Sequence, residues 1–365
     1  MLDRRTFAHF DWILIGSALL LALLGVAMIY STEGMASVPW RKVIYFKQLL
    51  WILFGLIGLL VTISINWRTI VRFSYAIYGF CLACLLLVAA IGRTGMGAQR
   101  WIHLGPVTFQ PSELMKIALV LALAKYLGDR AEEIKRPRQI LIPALLTLLP
   151  VFLVLRQPDL GTAIVLLLTA LGMILLFGLP LRYFLYSGTA GFLGFPILWA
   201  LLRDYQKQRV LAFLDPQHDP LGSGYHIIQS RIAVGSGRLL GNGWMAATQS
   251  QLNFLPEHHT DFIFAVSAEQ LGFLGCLLIL ALYLLIVSRG FLAARQARDL
   301  FSALFASGIV IMITLQIIVN VGMVIGLMPV VGIPLPLMSY GGTSMFTTMI
   351  AIGLLLNIRM RRYLF

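Results

Sequence analysis

The chain is poor in charge and nearly without cysteine. Aspartate and glutamate number 15, lysine and arginine 28, and together they make up only 12% of 365 residues. A soluble fold must turn much of its surface to water, and so few charges could not cover one this large. With 59% hydrophobic residues and a mean hydropathy of +0.88, the sequence excludes a soluble globular protein and points to a polytopic membrane protein. The three cysteines, Cys81, Cys84 and Cys276, imply no disulfide framework. Cys81 and Cys84 read C-x-x-C, but "YGFCLACLLLVAA" sets them in mid-span without a nearby His or acid, so packing is their expected role. The net charge of +13 could suit nucleic acid. In a membrane chain it has a simpler source, the Lys and Arg of cytoplasmic loops, and no nucleic-acid partner is expected.

What the sequence does have is long apolar runs. About 20 such residues cross a hydrocarbon core ~30 Å thick. Ten segments meet that test, near 11–30, 46–65, 71–91, 112–128, 139–156, 160–178, 181–201, 262–288, 301–327 and 341–358. The first follows "MLDRRTFAHFDW" and reads as a retained helix, since no small-residue cleavage site follows its apolar run. Ten crossings put both termini on one side, together with connections carrying Arg68, Arg72, Arg130, Lys135, Arg136, Arg138, Arg182, Arg289, Arg295 and Arg298. That side is expected to be cytoplasmic. The opposite side holds 31–45, 92–111, 328–340 and a long connection over about 202–261. It too carries cations, Arg41, Lys42, Arg93, Arg100, Arg203, Lys207, Arg209, Arg231 and Arg238, which suggests an anionic ligand outside. The expected architecture is all-α: one membrane domain over 1–365, about ten transmembrane helices, broken or re-entrant outer segments and one long extracytoplasmic loop.

Six ionisable residues lie in or beside the spans: Glu113, Lys116, Arg156, Asp159, Asp261 and Glu269. Hydrocarbon does not tolerate them unpaired, so a bundle interior or a wet cavity is expected, with internal ion pairs as the plainer alternative. "FQPSELMK" (109–116) reads as a helix start, with Pro111 in the first turn and Ser112 or Gln110 as cap. Glu113 and Lys116 are three apart and share a face; a buried Lys invites a phosphate or carboxylate. "FLPEHHTDFIFA" (254–265) has the same layout, with Thr260 or Asp261 able to cap the next helix. Whether Asp261 is a cap or a base stays open on local pattern. His258 and His259 invite a metal reading, but no further ligand stands at metal spacing, and solvated loop positions are the default for them, Arg231 and Arg238. Glu269 falls eight residues beyond Asp261, about 12 Å along one helix and on roughly the same face. "GLMPVVGIPLPLMSYGGTSM" (326–345) is too rich in Gly and Pro for a continuous helix, and N–H groups at "SYGGTS" could face an anion.

The blocks "RWIHLGPVTFQPSELMK", "LRQPDLGTA", "LPEHHTDFIFAVSAEQLG" and "GIPLPLMSYGGTS", in this order over nearly the whole chain, resemble the SEDS family of bacterial cell-wall polymerases. "GYHIIQSRIAVGSG" and "TQSQLNFLPEHHTDF" look like its RodA branch, which serves the elongating side wall. Two departures stand out: Arg238 where the family often has a second glycine after "GSG", and Gln270 beside Glu269 where an acid is expected.

The resemblance implies a peptidoglycan glycosyltransferase of the bacterial cytoplasmic membrane with an outward-facing site. It would join lipid II units by β-1,4 linkage, release undecaprenyl pyrophosphate, and work with a class B penicillin-binding protein. Asp261 matches the family's essential aspartate and is the expected base. Arg100, Lys116 and either Lys42 or Arg209 stand on the correct side to meet the leaving diphosphate. Glu113 would orient Lys116, and Glu269 joins the substrate-binding set. No cofactor is assigned, and a divalent cation is left open. A lipid flippase and a non-catalytic scaffold for the penicillin-binding protein remain as rivals.

Overall fold

The computed structural model describes residues 10–33, 42–91, 93–95, 98–104, 107–130, 140–178, 204–216, 223–246 and 259–361, with Thr189 and Ala200 besides. Its helices are α1 (Trp12–Glu33), α2 (Lys42–Ser64), α3 (Trp67–Ile91), α4 (Pro111–Asp129), α5 (Leu141–Arg156), α6 (Leu160–Leu176), α7 (Asp204–Leu214), α8 (Ser223–Ser236), α9 (Ile263–Arg295), α10 (Leu300–Val324) and α11 (Gly342–Met360). Six of them, α1, α2, α3, α9, α10 and α11, are long and apolar enough to cross a membrane; α5 and α6 are shorter apolar helices. They are apolar around most of their circumference, as lipid-facing helices must be when backbone polar groups can only be satisfied within the segment. The segment expected to span 181–201 lies outside the described residues, Thr189 and Ala200 apart.

At the centre stands α4, almost wholly buried, against α3, α6 and α10. Helix α11 runs along α2, while α9 packs between α1 and α10. One end of the bundle is tied by polar side chains. Buried Asp11 accepts from the Leu14 N–H (3.2 Å), capping α1, and pairs with Arg289 (2.9 Å) and Arg359 at the ends of α9 and α11. Nearby in sequence, Asn357 donates to the carbonyls of Thr62, Ile63 and Ile65 (2.6, 3.2 and 2.9 Å), closing the end of α2.

Two of the connections expected on the outer side are more ordered than the sequence suggests. The connection at 92–111 folds into a small antiparallel sheet in the order β1 (Arg93–Gly95), β2 (Ala98–Leu104), β3 (Val107–Phe109). The loop over about 202–261 contains α7 and α8, and α8 closes the end of α10: Ser230 Oγ donates to the Val324 carbonyl and Arg231 to the Gly326 carbonyl, both at 2.7 Å. Arg231, though exposed, thus bonds a carbonyl just past the end of α10 and is not merely a solvated loop residue.

Helix α9 is broken at Gly272, whose φ of 67° and ψ of −164° are non-helical. In a continuous helix the N–H groups of Phe273 and Leu274 would reach the carbonyls of Glu269 and Gln270. Instead a loop after α8 inserts its own backbone. Phe273 and Leu274 donate to Arg238 and Leu239, and Glu269 and Gln270 accept from Asn242 and Gly243 (2.9, 3.2, 2.9 and 3.2 Å in that order). These four groups freed by the break are thus satisfied, as a low-dielectric surround demands. The approach leaves no room for side chains: a Cβ on Gly241 or Gly272 would stand 2.0 or 2.2 Å from backbone of the other segment. The sequence showed the glycines but not this pairing, which joins residues thirty apart.

Candidate functional site

Asp261 lies in the turn His259–Phe262 just ahead of α9, partly buried. The N-cap of α9 is Phe262, whose side chain makes no cap hydrogen bond. The helix begins two residues beyond Asp261, so neither Thr260 nor Asp261 stands at the N-cap position that the sequence suggests for them. The helical spacing drawn from Asp261 to Glu269 fails for the same reason, because Asp261 is not in the helix.

The turn is strapped by the coil 325–341 between α10 and α11, which breaks where the Gly and Pro cluster required. Tyr340 donates its N–H to the His259 carbonyl (2.8 Å), and Ser339 Oγ donates to the Thr260 carbonyl (2.5 Å). Asn320 of α10 donates to the Asp261 carbonyl at 2.9 Å. The His259 ring meets Tyr340 edge-on at 5.7 Å, so His259 packs against this strap instead of standing in solvent as a loop residue. Burial raises the Tyr340 phenol above its ordinary value of 10.0, keeping it neutral at physiological pH. Glu257 and His258 lie outside the described residues. Among the described residues no three His, Cys, Asp or Glu side chains gather as a metal site would require.

Beside this turn, two helix starts meet. Helix α4 begins with Pro111 at N1 as expected, but its N-cap, Gln110, makes no side-chain cap bond. Nor does Ser112 cap it; Ser112 Oγ accepts from the Gln110 amide at 3.0 Å. The N-cap of α11, Gly341, has no side-chain cap either. Thr343 in the first turn of α11 joins the two: its Oγ1 accepts from the Gln110 N–H (3.2 Å) and donates to the Thr108 carbonyl (3.3 Å). Two uncapped positive helix ends thus lie side by side, an arrangement suited to an anion.

Lys116 and Glu113 share a face of α4 as predicted and bond at 2.8 Å, both nearly fully buried. Asp159 caps α6 through the Thr162 N–H and hydroxyl (3.2 and 2.9 Å) and accepts from the Gln110 amide at 3.2 Å. Arg100 reaches Asp159 at 3.9 Å and donates to the carbonyls of Gln157 (3.1 Å) and Pro158. The guanidinium is therefore engaged by the α5–α6 turn, with Asp159 beside the α4 start. Arg156 departs from expectation: it is exposed, lying 5.0 Å over the Phe152 ring, not in the bundle interior. Glu269 is fully buried seven residues into α9. Arg209 is partly buried on α7, and Lys42 starts α2, its side chain outside the described set.

Asn320, Ser339 and Thr343 were not singled out from sequence, and Gln110 only as a possible cap. A lone amide in the apolar run "IIVNVG" was a usable signal for Asn320. The others are small polar residues of a kind found in any loop, and nothing local distinguishes them.

A family model described as the FtsW/RodA/SpoVE cell cycle protein matches residues 11–364. Peptidoglycan glycosyltransferase MrdB of Escherichia coli (strain K12) is 41% identical over 364 residues, covering 99% of this chain and 97% of that protein. Stage V sporulation protein E of Bacillus subtilis (strain 168) is 39% identical over 361 residues, 97% of this chain and 98% of that one. Among solved structures, a peptidoglycan synthase complex that coordinates polymerization and crosslinking aligns with TM-score 0.84 at 36% identity, over 98% of this chain and 99% of that chain. Rod shape determining protein RodA of Thermus thermophilus aligns with TM-score 0.73 at 34% identity, over 97% and 98%.

Proposed function

The chain belongs to the FtsW/RodA/SpoVE cell cycle protein family; it is a multi-pass membrane protein and a peptidoglycan glycosyltransferase, and we propose that it polymerises lipid II with Asp261 as general base. The observation that supports the assignment of Asp261 is its place in the turn ahead of α9, outside the N-cap position, which Phe262 holds. Its main chain is held by bonds at three successive carbonyls, His259, Thr260 and Asp261, so the side chain projects from a fixed base.

In this reading the sugar hydroxyl of one lipid II gives its proton to the Asp261 carboxylate as its oxygen attacks the anomeric carbon of the other chain end. The bond from that carbon to the diphosphate oxygen breaks, and undecaprenyl pyrophosphate leaves with the electron pair. Negative charge grows on the leaving group, where cations and preorganised N–H donors lower the barrier. Lys116 and the paired starts of α4 and α11 are assigned that task, with Glu113 orienting Lys116 and Arg100 steadying the neighbouring α5–α6 turn. The cations of the outer connections support an extracytoplasmic site, and those of the other side support cytoplasmic termini in the bacterial inner membrane. Likeness to a synthase complex that also crosslinks supports a class B penicillin-binding protein as partner.

The test is polymerisation of labelled lipid II by purified protein with that partner, wild type against Asp261→Asn. Asn keeps the size and removes the base, so the expected loss is about a hundredfold or more. Wild-type rates in a folded, partner-bound variant would sink the assignment.

A further inference from the structure

The peptide bearing Asp261 is gripped by two side chains to which the proposed chemistry gives no task. Asn320, fully buried on α10, donates from Nδ2 to the Asp261 carbonyl (2.9 Å) and to the Ile333 carbonyl (2.7 Å). Ser339 Oγ donates to the Thr260 carbonyl (2.5 Å) and accepts from the Leu335 N–H (2.8 Å). Both residues link the Asp261 turn to the strap 331–339. Just before the Ile333 contact lies Gly332, with φ 73°, where an added Cβ would stand 3.3 Å from Asp261 Oδ2. The carboxylate therefore rests directly against the strap.

One nitrogen joining two carbonyls sets the spacing of the two segments that flank this contact. The arrangement has a cost: Asn320 Oδ1 is buried with no hydrogen-bond partner, which works against the fold. An apolar side chain of equal size would avoid that cost, but would leave the Asp261 and Ile333 carbonyls without this donor. Packing alone does not ask for an amide here; holding Asp261 at a fixed distance from the strap does.

We propose that Asn320 is a positioning residue for the reaction: its amide bridges Asp261 and Ile333 and so sets where the Asp261 carboxylate stands relative to the substrate hydroxyl. The inference rests on Asp261 being the base. A base must lie within hydrogen-bond reach of its proton, and a displacement on the order of 1 Å lowers the rate on the order of a hundredfold.

The experiment compares Asn320→Leu, Asp261→Glu and the double variant with wild type in the lipid II assay, as the full chain with its partner. Asn320→Leu should lower kcat about a hundredfold and leave KM for lipid II within about threefold. The penalty should shrink in the Asp261→Glu background, where the longer side chain has already moved the carboxylate; a merely structural role gives the same fold-loss in both backgrounds, and that result overturns the proposal. So does wild-type kcat in folded Asn320→Leu. Asn320→Ser, which keeps a hydroxyl donor and leaves space for water, carries the same test if the Leu variant does not fold. Asp261→Asn separates the two readings: if it retains wild-type rate the base assignment has failed, whereas an inactive Asp261→Asn beside a fully active Asn320→Leu rejects only the positioning role.

Discussion

Lys116 donates to Glu113 Oε1 at 2.8 Å on consecutive turns of α4, and the two side chains are only 4% and 5% exposed. Removing one member leaves the other charged and buried, which costs more than the pair itself contributes.

Lys116→Met should therefore destabilise the protein by on the order of 3 kcal/mol, and the double variant Glu113→Leu/Lys116→Met should recover much of that loss. Polymerisation should recover in neither, since the cation assigned to the diphosphate is gone. Thermal unfolding in detergent and the lipid II assay, run on the same preparations, check both halves; recovered activity in the double variant would remove Lys116 from the chemistry.

Asp159→Ala removes the cap of α6 and the acceptor for Gln110 and Arg100. A lost cap costs about 1–2 kcal/mol, and the ion pair adds little because Arg100 is partly exposed and 3.9 Å away. The expected signature is a lower unfolding temperature and a raised KM with kcat changed less than by Asp261→Asn. A loss of kcat equal to that of Asp261→Asn would place Asp159 in the chemistry itself.

Gly241→Ala and Gly272→Ala each force a methyl into backbone, with φ of 79° and 67° adding strain. Each should cost about 3 kcal/mol or more and release the inserted loop from α9. Gly243→Ala, at φ 104° but with open space around it, should cost only about 1 kcal/mol. Amide exchange at Phe273 and Leu274 reports the release, and equal effects of all three variants would refute the insertion as the cause.

Asn357→Ala strips a donor from three carbonyls at the end of α2. The expected cost is about 1–2 kcal/mol, with kcat unchanged, because Asn357 lies roughly 22 Å along α11 from Gly342. Loss of kcat without loss of stability would link this end of the bundle to the site.

Much of this protein is written locally. Spanning length, the start of α4 at Pro111, the face shared by Glu113 and Lys116, and the break between α10 and α11 follow from apolar runs, i,i+3 spacing and the Gly and Pro of 326–345. Such features depend on a residue's own neighbours in the chain, so they are legible there. That Asp261 stands outside the N-cap position of its helix was undecidable from "HHTDFIFA", because the first helical residue depends on how the strap pins the preceding turn. The same holds for Arg100, engaged with Gln157 and Pro158, and for the loop that fills the break in α9. These pairings join residues from 27 to 81 positions apart. In lipid a freed backbone group must find some partner, but only packing decides which one.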